Sequence, residues 1–248
     1  MDVRDRKIIV TGGVRGLGRA VVDTLLARGA RVAVFDRDVS GLAALTAEAA
    51  VQTYACDLSS FDDVVTVAAR YHEENGAADA LVNNAGTLHS APLLSISPAG
   101  LARHDIDAWN KVIATNLSSV FHMTLCIAEK MVSTRTRGVI VNISSVSAAG
   151  NAGQSAYSAA KAGVNALTMT WAKELSLLGI RVAGVAPGFT ETPSTREVLS
   201  EAIVKDVVRK MPLRRLGRAD EIAHGVLFVL ENDFYHGRIL ELDGGLVV

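Results

Sequence analysis

The 248 residues carry 25 basic and 26 acidic side chains, a net charge of −1, and 49% of them are hydrophobic, a balance that fits a globular chain with one large core and excludes disorder and coiled coil. No Lys/Arg run is long enough to track phosphates, and no stretch approaches about 18 uninterrupted apolar residues, so neither a nucleic-acid partner nor a membrane span is expected. The opening MDVRDRKIIV lacks the basic segment, apolar core and small-residue cleavage site of a secretory signal, and the expected location is cytoplasmic.

In chain order, short β-branched runs alternate with longer Ala/Leu-rich segments. KIIV, RVAVF, QTYAC, ALVNN, GVIVNI, RVAGVA and RILEL read as strands, several of them apolar throughout, as strands covered on both faces are. GRAVVDTLLARG, FDDVVTVAARYHEENG, the long run from Ile106 to Val132, the run from Ser155 to Gly179, and ADEIAHGVLFVLEND carry apolar residues at three- and four-residue spacing and read as helices. This alternation predicts βαβ units building a parallel sheet. No linker, compositional shift or repeat divides the chain, so residues 1–248 are expected to form one domain. Two segments are less regular: 86–105, where Leu93, Leu94 and Ile96 are candidates for the rim of an apolar substrate pocket and Pro92 and Pro98 suggest an ordered excursion, and 188–218. Both leave the carboxyl end of a strand, where ligands bind in open α/β sheets.

The first strand runs into TGGVRGLG and then a helix. Gly12, Gly16 and Gly18, with Arg15 and Leu17 between them, give a tight turn that lets backbone approach a pyrophosphate at the positive end of a helix. Asp36 closes the second strand about 20 positions further on, where a carboxylate accepts both adenosine ribose hydroxyls and repels a 2′-phosphate. The expected cofactor is therefore NAD, although Arg15 and Arg37 are guanidiniums able to pair with a 2′-phosphate. There is no G-x-x-x-x-G-K-[ST] motif, and the six histidines form neither HExxH nor a Cys/His cluster, so no metal is expected. Cys56 and Cys126, isolated in apolar surroundings, read as buried free thiols.

YSAAK places Tyr157 and Lys161 one helical turn apart on one face. A neighbouring ammonium favours the phenolate and brings a tyrosine towards working pH as a general acid/base. Upstream, NISS delivers Ser144 and Ser145 at a strand's carboxyl end, where a hydroxyl can polarise a carbonyl. NNAG closes another strand, and TNLSSVF sets Asn116 within a helix, a position of low propensity for asparagine.

Taken together, TGGVRGLG, CDL, NNAG, TNLSSVF, NISS, YSAAK, APG and ELDGG occur in the order of the short-chain dehydrogenase/reductase family, which the chain resembles over essentially its whole length, and most of all its compact 3-oxoacyl-carrier-protein-reductase-like members. The resemblance implies a single-domain Rossmann fold with a doubly wound seven-stranded parallel sheet and helices on both faces. It implies that Tyr157 is the acid/base, that Lys161 lowers its pKa and binds the nicotinamide ribose, and that Asn116 supports a relay water. Asp57 and Leu58 would contact adenine, Asn84, Ala85 and Gly86 line the cofactor channel, Pro187 and Gly188 of APG border it, and Thr190 and Thr192 reach the carboxamide. Ser145 is the second serine of NISS and is taken as catalytic, with Tyr157 one residue nearer than is usual; Ser144 has the usual distance. The segment between Gly86 and Trp109 is several residues longer than in the fatty-acid-synthesis reductases.

The leading expectation is NAD-dependent interconversion of a small secondary alcohol and a ketone. The alternatives are an NADP-dependent 3-oxoacyl-thioester reductase and a non-enzymatic NAD-binding module. An α/β hydrolase is set aside because GQSAY has Tyr157 in place of the second glycine of a nucleophile elbow, and Ser155 does not follow a strand directly. The family also implies a homotetramer.

Overall fold

The computed structural model describes residues 1–98, 100–192, 195 and 201–246. Its strands are β1 (Lys7–Thr11), β2 (Arg31–Asp36), β3 (Gln52–Ala55), β4 (Ala80–Asn83), β5 (Leu94–Ser97), β6 (Gly100–Arg103), β7 (Val139–Ile143), β8 (Arg181–Pro187), β9 (Thr190–Glu191), β10 (Gly217–Arg218) and β11 (Ile239–Leu242). The helices are α1 (Gly16–Ala27), α2 (Val39–Glu48), α3 (Phe61–Asn75), α4 (Ile106–Ile113), α5 (Ser119–Ser133), α6 (Ser155–Ser176), α7 (Glu201–Lys210) and α8 (Ala219–Glu231).

Seven strands form one parallel sheet in the order β11-β8-β7-β4-β1-β2-β3. Because successive side chains on a strand point to opposite faces, each central strand feeds two cores. Ile8, Val10, Val32 and Val34 join Val21, Val22 and Leu25 of α1 and Ile222, Val226 and Leu230 of α8 on one face. Ile9, Ala33, Phe35, Leu81 and Ile140 meet Tyr71 of α3, Met123 and Ile127 of α5, and Val164 of α6 on the other. Each Val, Leu, Ile, Phe or Met side chain among these contributes roughly 1.5–3 kcal/mol on burial, so covering both faces is what makes the all-apolar strands stable. The chain leaves the β3 edge and re-enters beside β1 as β4, so the order reverses there and a crevice opens above the carboxyl ends of β1 and β4.

Four features were not expected from the sequence. Helix α2 starts where the Asp38 carboxylate accepts the Gly41 N–H at 3.0 Å, and it buries only Leu42 and Leu45, so its periodicity is faint. Helix α7 buries no residue and falls in the segment read as irregular. The 86–105 segment holds an antiparallel hairpin pairing Leu94 with Arg103 and Ile96 with Leu101, with Pro98 in its turn. Leu93, Leu94 and Ile96 are 69%, 55% and 88% exposed, so the structure places them in solvent and not around a pocket. The long helical run is broken by a π-helical turn at Ala114–Ser118. Among the described residues Ile106–Ser133 is the one helical run long and apolar enough to cross a bilayer; here it lies on the sheet with Met123, Ile127 and Met131 fully buried.

Candidate active site

At the end of β1 the Thr11 hydroxyl accepts the backbone N–H groups of Asn84 at 2.9 Å and Ala85 at 3.0 Å, while the Asn84 amide donates to the carbonyls of Thr11 and Gly12, both at 3.0 Å. Two strand ends are thereby locked side by side. Gly12 has φ +65°, and a Cβ there would lie 2.8 Å from Ala85 Cα; a Cβ on Gly18 would lie 2.0 Å from the Gly12 oxygen. Only glycine admits this approach of α1 to the strand loop. No side chain caps the start of α1, and its first turn holds no acidic residue, so the N–H groups and positive dipole end face the cavity uncompensated, which fits a pyrophosphate.

At the end of β2 the Asp36 carboxylate accepts one N–H from the glycine-rich turn, that of Val14 at 3.4 Å, and one from its own loop, that of Asp38 at 3.1 Å. The Asp57 carboxyl is held below its ordinary range by the Ser59 hydroxyl and N–H and by the Arg37 charge. Asp38 is likewise lowered by the Gly41 N–H and the Ser40 hydroxyl, with the Arg15 charge a smaller cause. Arg15 and Arg37 therefore each already have a carboxylate neighbour. The Cys56 thiol beside them is pushed up to about 12 by burial and then by Asp63 and Asp57, which makes it inert; Cys126 is half-buried and also free.

At the chemistry end, Tyr157 and Lys161 stand on one face of α6. Lys161 is 4% exposed, donates from Nζ to the Ile143 carbonyl at 2.8 Å, and lies 5.8 Å from the Tyr157 ring centroid. Here a sequence expectation is corrected: the phenol pKa is raised, not lowered. Desolvation by the surrounding protein drives it up, a hydrogen bond with Ser145 pulls it partly back, and the same burial lowers the Lys161 amine to about 8. The two serines are oriented differently. Ser144, 2% exposed, turns its hydroxyl to the Lys161 main-chain oxygen at 3.4 Å, whereas Ser145 caps the short 3₁₀ turn Val146–Ala149 and engages Tyr157.

Asn116 is fully buried in the π-helical turn. Its Nδ2 donates to the carbonyls of Val112 at 3.0 Å and Thr87 at 3.1 Å, and its Oδ1 accepts the Thr87 N–H at 3.1 Å. The side chain thus substitutes for helix bonds that the wider turn gives up and ties α4 to the strand loop, where a Gly86 Cβ would come 2.6 Å from Oδ1.

One cavity is lined by every residue singled out for the site: Gly12, Arg15, Gly16, Leu17, Gly18, Asp36, Asp57, Leu58, Asn84, Ala85, Gly86, Asn116, Ser145, Tyr157, Lys161, Pro187, Gly188, Thr190 and Thr192. Gln154, Leu88, Val146 and Phe189 line it too and were missed, as was the bracing role of Thr11. Gln154 is 5% exposed and donates to the Ser90 hydroxyl at 3.3 Å, three residues before Tyr157. Among the described residues no three His, Cys, Asp or Glu side chains converge as metal ligands.

The short chain dehydrogenase family matches residues 6–202, and the chain belongs to that family. It is therefore an oxidoreductase acting on CH–OH or keto groups with a nicotinamide cofactor. The chain is 36% identical, over all of both chains, to a 3-oxoacyl-[acyl-carrier-protein] reductase of Thermotoga maritima. It is 35% identical to an acetoacetyl-CoA reductase of Shinella zoogloeoides, over 97% of this chain and 98% of that one. A crystal structure of a candidate gluconate dehydrogenase from Agrobacterium tumefaciens superposes with a TM-score of 0.91 at 30% identity, covering 99% and 97% of the two chains.

Proposed function

We propose that this single-domain chain, 1–248, interconverts a ketone and a secondary alcohol with NAD(H), and that a 3-oxoacyl thioester is its substrate. The observation that carries the reading is the convergence of Ser145, Tyr157, Lys161 and Asn116 at one end of a cavity whose other end is the uncapped start of α1. The thioester class rests on the activities named for the Thermotoga and Shinella relatives, and the preference for NAD(H) on Asp36, whose carboxylate would repel a 2′-phosphate.

When bound, the nicotinamide would supply or accept the hydride. In reduction, the Tyr157 phenol gives its proton to the oxygen of the substrate carbonyl, a role suited to a group that burial keeps protonated. The Ser145 hydroxyl holds that oxygen, fixing it at donor distance from the phenol. Lys161, anchored on Ile143 and 5.8 Å from the Tyr157 ring centroid, would hold the nicotinamide ribose, and its charge stabilises the phenolate left behind. Asn116, braced on the Thr87 and Val112 carbonyls, would support the relay water. In oxidation the same phenolate takes the proton back.

The likeness to the Agrobacterium structure and the added hairpin favour one second reading, a polyhydroxy-acid dehydrogenase. Titration with NADH and NADPH by fluorescence, followed by turnover of 3-oxobutanoyl-CoA and a panel of hydroxy acids, separates them. The proposal expects tighter NADH and turnover of the thioester. Tighter NADPH overturns the Asp36 argument, and turnover confined to hydroxy acids replaces the thioester by the second reading. We further propose a cytoplasmic homotetramer, in keeping with the exposed Phe121 and Leu125 of α5 and Met169 of α6.

A further inference from the structure

His122, on α5, does not line the cavity, yet its Nδ1 lies 3.1 Å from the main-chain oxygen of Leu58 and its ring packs on Phe61 with centroids 5.3 Å apart. A carbonyl oxygen can only accept, so Nδ1 carries the proton in this contact whether the ring is neutral or charged. Leu58 is 8% exposed and lines the adenosine end of the cavity together with Cys56 and Asp57. The remainder of this loop is held by its own surroundings. The Asp57 N–H donates to Asp63 at 2.6 Å, the Asp57 carboxylate accepts from Ser59, and the Ser60 N–H closes a turn on the Asp57 carbonyl at 3.0 Å. The orientation of the Leu58 peptide is set from a different element, by His122.

We infer that His122 is a positioning residue for cofactor binding: from α5 it fixes the main chain of Leu58, and with it the loop that receives the adenine. The inference rests on the reading of Asp57 and Leu58 as the adenine contact. A peptide free to rotate at this point loses pre-organisation, and the lost affinity falls on the adenosine half of the cofactor alone. Tyr157, Lys161 and Ser145 lie at the other end of the cavity and stay as they are.

The experiment compares His122→Leu, which removes the donor and keeps the bulk, with His122→Asn, whose Nδ2 sits as far from Cγ as the histidine Nδ1 does. The Kd for NADH and turnover with reduced nicotinamide mononucleotide, which has no adenosine, are measured for each. For the leucine variant we expect a rise of about tenfold in Kd and KM for NADH, matching one lost hydrogen bond to a buried carbonyl, with kcat at saturating NADH within about twofold. Turnover with the mononucleotide should be unchanged, and the asparagine variant should recover to within about threefold of the wild type. Unchanged NADH affinity in the leucine variant, an asparagine variant as weak as the leucine one, or an equal loss with the mononucleotide each overturns the inference. If the leucine variant does not fold, His122→Gln, which sets the amide one carbon too far, takes its place beside asparagine with the same expectations. Wild-type protein that binds NADH no tighter than the mononucleotide would refute the adenine assignment itself, a failure distinct from that of His122.

Discussion

At Lys161 the same burial that shapes the site also weakens the fold. A lowering of the amine from 10.5 to about 8 corresponds to about 3 kcal/mol by which folding disfavours the charged form. The folded chain releases its proton first as pH rises, the unfolded chain binds more protons between about 8 and 10.5, and stability therefore climbs through that window; below it the cost is present in full. Lys161→Met abolishes this dependence and leaves the Ile143 carbonyl without its donor, a loss of about 1–3 kcal/mol. Urea midpoints at pH 7 and pH 10 are expected to show the wild type gaining on the variant as pH rises; parallel midpoints would contradict the burial argument. At Asp36, replacement by Ala should weaken NADH about tenfold and strengthen NADPH, since a ribose acceptor and a like charge are both removed. A fluorescence titration in which both cofactors weaken together would mean that the carboxylate serves only to hold the Val14 and Asp38 N–H groups. Membership of the cavity was legible one residue at a time wherever a motif names the residue. The direction of the Tyr157 shift was not legible, because desolvation depends on what the other elements pack around the phenol.

Among the elements, α1 and the turn before it are the most constrained. A Cβ on Gly18 meets the Gly12 oxygen at 2.0 Å and the Asn84 amide at 2.4 Å, both parts of the lock that joins β1 to β4. Gly18→Ala must push α1 away from the strand loop, at a cost of about 1–3 kcal/mol from overpacking, and should cut cofactor affinity more than it lowers the melting temperature. Calorimetry and titration of the same variant check this, and unchanged affinity would show that the start of α1 takes no part in binding. The strands and the helices with strong apolar stripes were readable from periodicity, since both are buried on a regular pattern. Helix α2 rests on two buried leucines, α7 on none, and the hairpin alternates Leu94 and Ile96 with serines that face the same solvent, so no burial pattern marked them. The π-helical turn was equally hidden, because the bonds that stabilise it come from Thr87, far along the chain.

For the whole molecule, doubly wound order is what turns scattered motifs into one site. TGGVRGLG, NNAG, NISS and APG lie far apart in the sequence, and parallel pairing of β1, β4, β7 and β8 sets their carboxyl ends side by side. The sheet was legible from the alternation of strand and helix, and the site from motif order. What the sequence could not show was how the sheet is held at its polar centre. There the Asn83 amide donates to Thr124 and to Asn142, both at 2.9 Å, and Asn142 donates to Thr168 at 2.9 Å, bridging β4 and β7 to α5 and α6. The outer faces of those helices expose Phe121, Leu125 and Met169, and sedimentation is expected to give a species four times the 26.1 kDa chain mass that dissociates in Phe121→Glu/Leu125→Glu. A monomer at working concentration would overturn the assembly.

Proton transfer by Tyr157 is what joins the two halves of the cavity into one reaction, and single-turnover kinetics isolate that step. Wild type and Tyr157→Phe, each saturated with NADH, are mixed with 3-oxobutanoyl-CoA and the loss of NADH fluorescence is followed. Equal NADH affinities are expected, with a decay slowed by about 10²–10⁴ in the phenylalanine variant, the usual contribution of a positioned general acid. Equal decays in the two proteins would contradict proton transfer by Tyr157.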